Sequence, residues 1–117
     1  VKAMEKYPIN ILGHPTSRLL NEREPININL EKIFTVAKNN NVFLEINGSP
    51  SRMDLAGEQI KSMLDKGCKG AISTDAHDKN HLLYYHLGVL SARRGWAEKK
   101  DILNCWPLPK IEKALQK

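Results

Sequence analysis

The apolar, strand-like run Ala71-Ile72-Ser73-Thr74 ends in Asp75-Ala76-His77, which places a carboxylate and an imidazole two residues apart. In extended backbone such residues project to the same side, so both side chains can point into one site just past the strand. A hard carboxylate oxygen beside a borderline imidazole nitrogen suits a divalent ion such as zinc, manganese or iron. Upstream, Ile9-Asn10-Ile11-Leu12-Gly13-His14-Pro15 repeats the arrangement, with a histidine where an apolar strand stops. A single Asp-x-His is common in solvated loops. Two such strand ends in 117 residues make metal-assisted chemistry the leading reading.

The elements that must position these residues read as three strand-then-helix units. A strand over Pro8–Leu12 precedes a loop rich in Asn and Arg, and Asn29 is a fitting N-cap for a helix with Leu30, Ile33, Phe34 and Ala37 on one face. Asn39-Asn40-Asn41 ends that helix. A second strand, Val42–Ile46, stops at Asn47-Gly48; a helix from about Asp54 carries Ile60, Met63 and Leu64 and ends at Gly67. A third strand over Gly70–Thr74 leads to a helix from Asn80 to Arg93, with Leu83, Leu87 and Leu90 as its apolar stripe. A short turn over Asp101–Asn104 and a last helix from Pro109 follow. This alternation predicts an α/β fold, a parallel sheet with helices over it. In such sheets chemistry sits at the carboxyl ends of the strands, where His14, Glu45 with Asn47, and Asp75 with His77 all fall.

Several neighbours carry two readings. Glu45, in an otherwise apolar strand, needs a partner, and Arg18 or Arg52 is expected to supply it, ahead of a supporting role behind a metal. Asn47 either orients a ligand or caps the turn. Arg18, four residues past His14, either binds a phosphate bidentately and stabilises transition-state charge or is a surface arginine. Arg52 with Asp54 reads as a pair that shapes the loop. Arg93-Arg94 suit a helix C-terminus, and Gly95 is expected to be its left-handed cap. Trp96 and Trp106 read as core or interface aromatics, and His81 and His86 as helix-surface residues. Two histidines and a carboxylate also match the facial triad of non-haem iron oxygenases, but the α/β pattern argues against that fold.

Composition bounds the rest. A chain of this length reads as one domain able to bury roughly two thirds of its unfolded surface. No apolar run approaches the roughly 20 residues a membrane-crossing helix needs, so no membrane partner is expected. Cys68 and Cys105 lie in neither a Cys-x-x-Cys nor a zinc-ribbon spacing and read as reduced packing residues of a cytoplasmic protein. The net charge of +5 is compatible with a polyanionic partner, although Lys99-Lys100, Lys110 and Lys113 read as solvated lysines.

Gly13-His14-Pro15-Thr16-Ser17-Arg18-Leu19-Leu20, Leu44-Glu45-Ile46-Asn47, Arg52-Met53-Asp54-Leu55, Ser73-Thr74-Asp75-Ala76-His77 and Ala92-Arg93-Arg94-Gly95-Trp96 together resemble the C-terminal part of PHP (polymerase and histidinol phosphatase) metal-dependent phosphoesterases. The Arg-Met-Asp-Leu and Ala-Arg-Arg-Gly-Trp pieces are most similar to the PHP domain of bacterial and archaeal family X DNA polymerases. One residue departs from the pattern: Ser17 stands where the family usually has glycine. The resemblance implies that His14, Asp75 and His77 are metal ligands, that manganese or zinc forms a multi-metal cluster, and that the fold is part of a distorted barrel of seven strand-helix units. It implies 3′-to-5′ exonuclease or DNA-end processing for repair, with DNA 3′ ends as substrate; a histidinol-phosphatase-like enzyme and a non-catalytic scaffold are the alternatives. The family's His-x-His motif and further ligands are absent from these residues, and the chain opens on Val1 in a helix-like stretch. The expectation is therefore a C-terminal portion whose partner is the upstream polymerase/PHP part of the same protein, with an open sheet edge prone to self-association.

Overall fold

A computed structural model describes residues 1–117. Helix α1 (Lys2–Lys6) leads into strand β1 (Ile11–Leu12), followed by α2 (Leu30–Asn39), β2 (Phe43–Asn47), α3 (Gly57–Asp65) and β3 (Gly70–Ser73). A 3-10 segment (Lys79–Tyr84) then runs into α4 (Tyr85–Arg94), and two 3-10 turns precede α5 (Leu108–Leu115). The strands form one parallel sheet in the order β1-β2-β3. Parallel strands alternating with helices are the expected α/β architecture and the kind of unit from which a β/α barrel is built.

Local chemistry sets the boundaries. Asn29 caps α2 as its sequence predicts, its Oδ1 accepting the Lys32 N–H at 2.9 Å. β1 is shorter than expected because Pro8 has no N–H to donate and the Ile9 carbonyl accepts the Lys117 ammonium instead. α3 starts at Gly57 rather than near Asp54, because the Asp54 carboxylate accepts the Thr16 N–H at 2.9 Å and its carbonyl accepts from Asn47.

α4 departs most from its sequence pattern. Leu83 and Leu90, expected in the buried stripe, are 66% and 52% exposed, and the helix buries Gly88, Ser91 and Ala92 instead. Small residues let the helix lie close to the sheet: a Cβ on Gly88 would stand 2.6 Å from Ile72 Cγ2. Gly95 likewise ends α4 for want of space, with a Cβ position 2.3 Å from Ile60 Cγ2, and not as a left-handed cap, since its φ is −84°. The left-handed residue is Trp96 (φ 62°), which is exposed rather than part of the core.

Leu44 and Ile46 join Phe34, Ala37, Ile60, Met63 and Ala92 in the larger core between the sheet and α1–α4. On the opposite face Phe43, Ala71 and Leu103 pack under Trp106 and the α5 residues Ile111, Ala114 and Leu115. Both faces are covered, which is why the strands read as nearly unbroken apolar runs. The outer edge of β3 is covered, which leaves β1 as the edge without a neighbouring strand. The Asn104 amide mimics a strand there, donating to the Ile72 carbonyl at 3.0 Å and accepting the Ile72 N–H at 2.8 Å, and Ile102 bridges to Gly70. Edge-to-edge self-association through β3 would have to displace these bonds.

Candidate metal centre at the strand carboxyl ends

Three parallel strands bring their carboxyl ends to one side, and a row of hydrogen bonds crosses all three there. His14 follows β1 with φ 24°, and its N–H donates to Glu45 Oε2 in β2. The Ser73 hydroxyl donates to Glu45 Oε1 from β3. Asn47, fully buried at the end of β2, directs Nδ2 to Glu45 Oε2 and to Asp75 Oδ2, each at 3.3 Å. Arg52 Nε reaches the same Asp75 oxygen at 3.0 Å. His77 Nδ1 lies 2.7 Å from the Asp75 carbonyl and 3.9 Å from Asp75 Oδ1. As a donor to that carbonyl, Nδ1 leaves Nε2 with its lone pair available.

The partners differ from those expected in three places. Glu45 pairs with neither arginine; a backbone N–H, a hydroxyl and an amide satisfy it. Arg52 engages Asp75 and not Asp54, and its Nη1 donates to the Arg18 carbonyl at 3.3 Å. Arg18, read from sequence as either a phosphate ligand or a surface arginine, donates Nε to the Arg52 carbonyl at 2.8 Å and Nη2 to the Met53 carbonyl. The guanidinium that reaches the row is therefore that of Arg52, while Arg18 clamps the loop carrying it. Spacing alone could not assign two arginines among three carboxylates. Ser17 adopts φ 53°, so the turn that usually takes glycine forms with serine in place. His81 is half-buried and accepts the His77 N–H at 3.2 Å, and His86 lies on the surface.

Charge is distributed unevenly along the row. Burial raises the Asp75 carboxyl, but hydrogen bonds from Asn47 and Arg52, with the Arg52 charge, outweigh it, so Asp75 lies below its ordinary value. Beneath the loop, burial pushes the Asp54 carboxyl up despite the bonds from Thr16 and the charge of Arg18. Its Oδ1 has no partner. As pH rises from the ordinary value of 3.8 towards the raised folded value, the unfolded chain loses its proton first, and this group lowers stability. Asp54→Asn keeps the acceptor for Thr16 and removes the titration. Its stability relative to wild type, from urea denaturation, is expected to increase as pH climbs through that window. A difference that stays flat with pH would contradict the assignment.

The donor chemistry at the row suits a divalent ion, since two imidazoles and a carboxylate stand at the strand ends and His14 Nδ1 is buried without a partner. Their arrangement is looser than the sequence predicts. No three His, Cys, Asp or Glu side chains gather closely enough to hold an ion by themselves. Asp75 and His77 adjoin, with His77 81% exposed, while His14 joins them only through Glu45 and Asn47. The fit is thus that of a partial donor set.

No family model matches the chain. Over 115 residues, 98% of its length, it is 34% identical to the DNA polymerase/3'-5' exonuclease PolX of Bacillus subtilis (strain 168). The chain spans about 20% of that relative's length, so the similarity is to one part of a much longer protein.

Proposed function

We propose that this chain is the metal-binding part of a phosphoester-hydrolysing PHP module in a PolX-like protein, acting on DNA 3′ ends. The observation that carries the reading is the hydrogen-bonded row joining His14, Glu45, Asn47, Asp75 and Arg52 across the carboxyl ends of all three strands. The similarity to a named 3'-5' exonuclease over nearly the whole chain supports it. His14, Asp75 and His77 would hold manganese or zinc, and the remaining donors would come from polypeptide outside these residues. A bound divalent ion would acidify water and neutralise charge on a phosphoryl oxygen. The chain's own residues do the positioning. Arg52 and Asn47 fix the Asp75 carboxylate from two sides, the Asp75 carbonyl sets the His77 tautomer, and Glu45 holds the turn that carries His14.

The partial donor set gives this reading a sharp consequence. The 117-residue chain alone is expected to retain Mn²⁺ or Zn²⁺ weakly and to show no measurable hydrolysis of 3′-labelled DNA. Equilibrium dialysis and a nuclease assay check this; robust metal-dependent turnover by the isolated chain would contradict it. The function itself is tested with the native full-length protein on 3′-labelled DNA and on a small phosphate monoester, each with Mn²⁺ and with a chelator. Chelator-sensitive degradation from the 3′ end, faster than hydrolysis of the small ester, is expected. Preference for the small ester would favour a histidinol-phosphatase-like enzyme, and no hydrolysis with any metal would favour a scaffold.

A further inference from the structure

A cavity of about 400 Å³ opens at the other end of the sheet, between the C-terminal end of α2, the start of β2, the turn before β3, and α5. None of the strand-end row lines it. Its lining contains Lys38, Lys69, Lys110, Lys113 and Lys117 and no Asp or Glu. Lys69 is neutralised by Asp101 at 2.6 Å, and the other four ammonium groups form no ion pair. With 18 Lys and Arg against 13 Asp and Glu in the whole chain, most of the excess positive charge is concentrated in this concavity, where apolar walls focus its field.

All four unpaired lysines are exposed, Lys113 as a solvated lysine as its sequence reads, but Lys110 and Lys117 are held by neighbours. Lys110 Nζ sits 3.9 Å from the centroid of the Trp106 ring. Lys117 donates to the carbonyls of Ile9 and Asn40, the second at 3.0 Å. Gly67, at φ +84°, leaves space for Lys38: a Cβ there would stand 3.3 Å from its Nζ. The apolar wall is formed by Phe43 and Trp106, edge to face with centroids 5.6 Å apart, together with Ala114. Burial pushes the Lys117 ammonium below its usual value, a shift that an anion alongside would reverse.

We propose that this cavity binds a phosphate monoester of mononucleotide size, the phosphate on Lys38, Lys113 and Lys117 and the organic body against Phe43 and Trp106. A dianionic group needs several cations and no acidic side chain opposite them, which the lining supplies. The volume lies in the range of about 300–1,000 Å³ typical of small-molecule pockets, the size of a compact ligand.

The test follows the Trp106 indole N–H by NMR in the 117-residue chain, with Trp96→Phe removing the other indole signal. Titrants are dAMP, deoxyadenosine, inorganic phosphate, and a short oligodeoxynucleotide with hydroxyls at both ends. Saturable shifts are expected with dAMP, weaker binding with inorganic phosphate, and none with deoxyadenosine. Lys38→Ala with Lys113→Ala should weaken dAMP binding at least tenfold. Lys99→Ala with Lys100→Ala, an equal loss of charge outside the cavity, should change it less than twofold. Equal weakening by both pairs, or no dAMP binding, would overturn the site. Binding of the oligodeoxynucleotide as tight as that of dAMP would overturn the mononucleotide assignment in favour of nucleic-acid backbone. A retained amide spectrum in each variant separates loss of binding from loss of fold.

Discussion

Asp75→Ala is expected to lower metal-dependent phosphoester hydrolysis by the native full-length protein at least about a hundredfold. Residues that merely support metal ligands already cost about 10- to 100-fold when changed, and Asp75 stands in the proposed ligand set itself. The substitution also leaves Arg52 without its carboxylate and Asn47 without one of its two acceptors. Asp78→Ala provides the control. It removes a carboxylate three residues on whose Oδ1 accepts the Asn80 N–H at 2.8 Å, and hydrolysis should stay within a fewfold of wild type. Release of nucleotides from 3′-labelled DNA at saturating Mn²⁺ is the readout. A wild-type rate in Asp75→Ala would remove Asp75 from the reaction.

The largest expected effect on stability is at Gly48, the first residue beyond β2. A Cβ there would lie 2.4 Å from the Tyr84 carbonyl oxygen, 2.9 Å from the Gly88 nitrogen and 3.2 Å from the Ser73 oxygen. All three are backbone atoms, so no side chain can rotate away, and α4 would have to move off the sheet. Gly48→Ala is expected to cost about 3 kcal/mol, at the upper end of overpacking penalties, and to lower Tm by roughly 10 °C or more. Gly13→Ala is the contrast, because its Cβ would meet only Glu45 Oε2 at an ordinary 3.7 Å. Thermal unfolding of both variants checks the difference; equal melting temperatures would show that α4 does not press on the turn after β2.

These two positions also mark how far the sequence could be read. Apolar periodicity, Asn29 and Gly67 located α2, α3 and the three strands to within a few residues, because each signal acts on nearby backbone. The strand-end placement of His14, Asp75 and His77 was legible for the same reason, since a parallel sheet fixes which ends meet. The partners were not. Whether Arg18 or Arg52 reaches a carboxylate depends on the path of the loop over residues 48–54, which Asp54 ties to Thr16 across 38 positions. α4 misled the reading because Leu83, Leu87 and Leu90 make a plausible stripe, whereas close approach selected Gly88, Ser91 and Ala92. The lysines at the far cavity are spread from Lys38 to Lys117, so only the fold brings them together.

The central claim is that a divalent ion binds where the carboxyl ends of the strands meet. Paramagnetic broadening by Mn²⁺ tests it most directly, because it registers even weak, transient occupancy residue by residue. Substoichiometric Mn²⁺ added to the isotopically labelled 117-residue chain is expected to broaden amide signals first around His14, Asn47 and Asp75 to His77, and to leave those of α5 unaffected. Asp75→Ala should abolish the effect. Broadening centred elsewhere, or the same pattern in Asp75→Ala, would contradict the metal site and the function built on it.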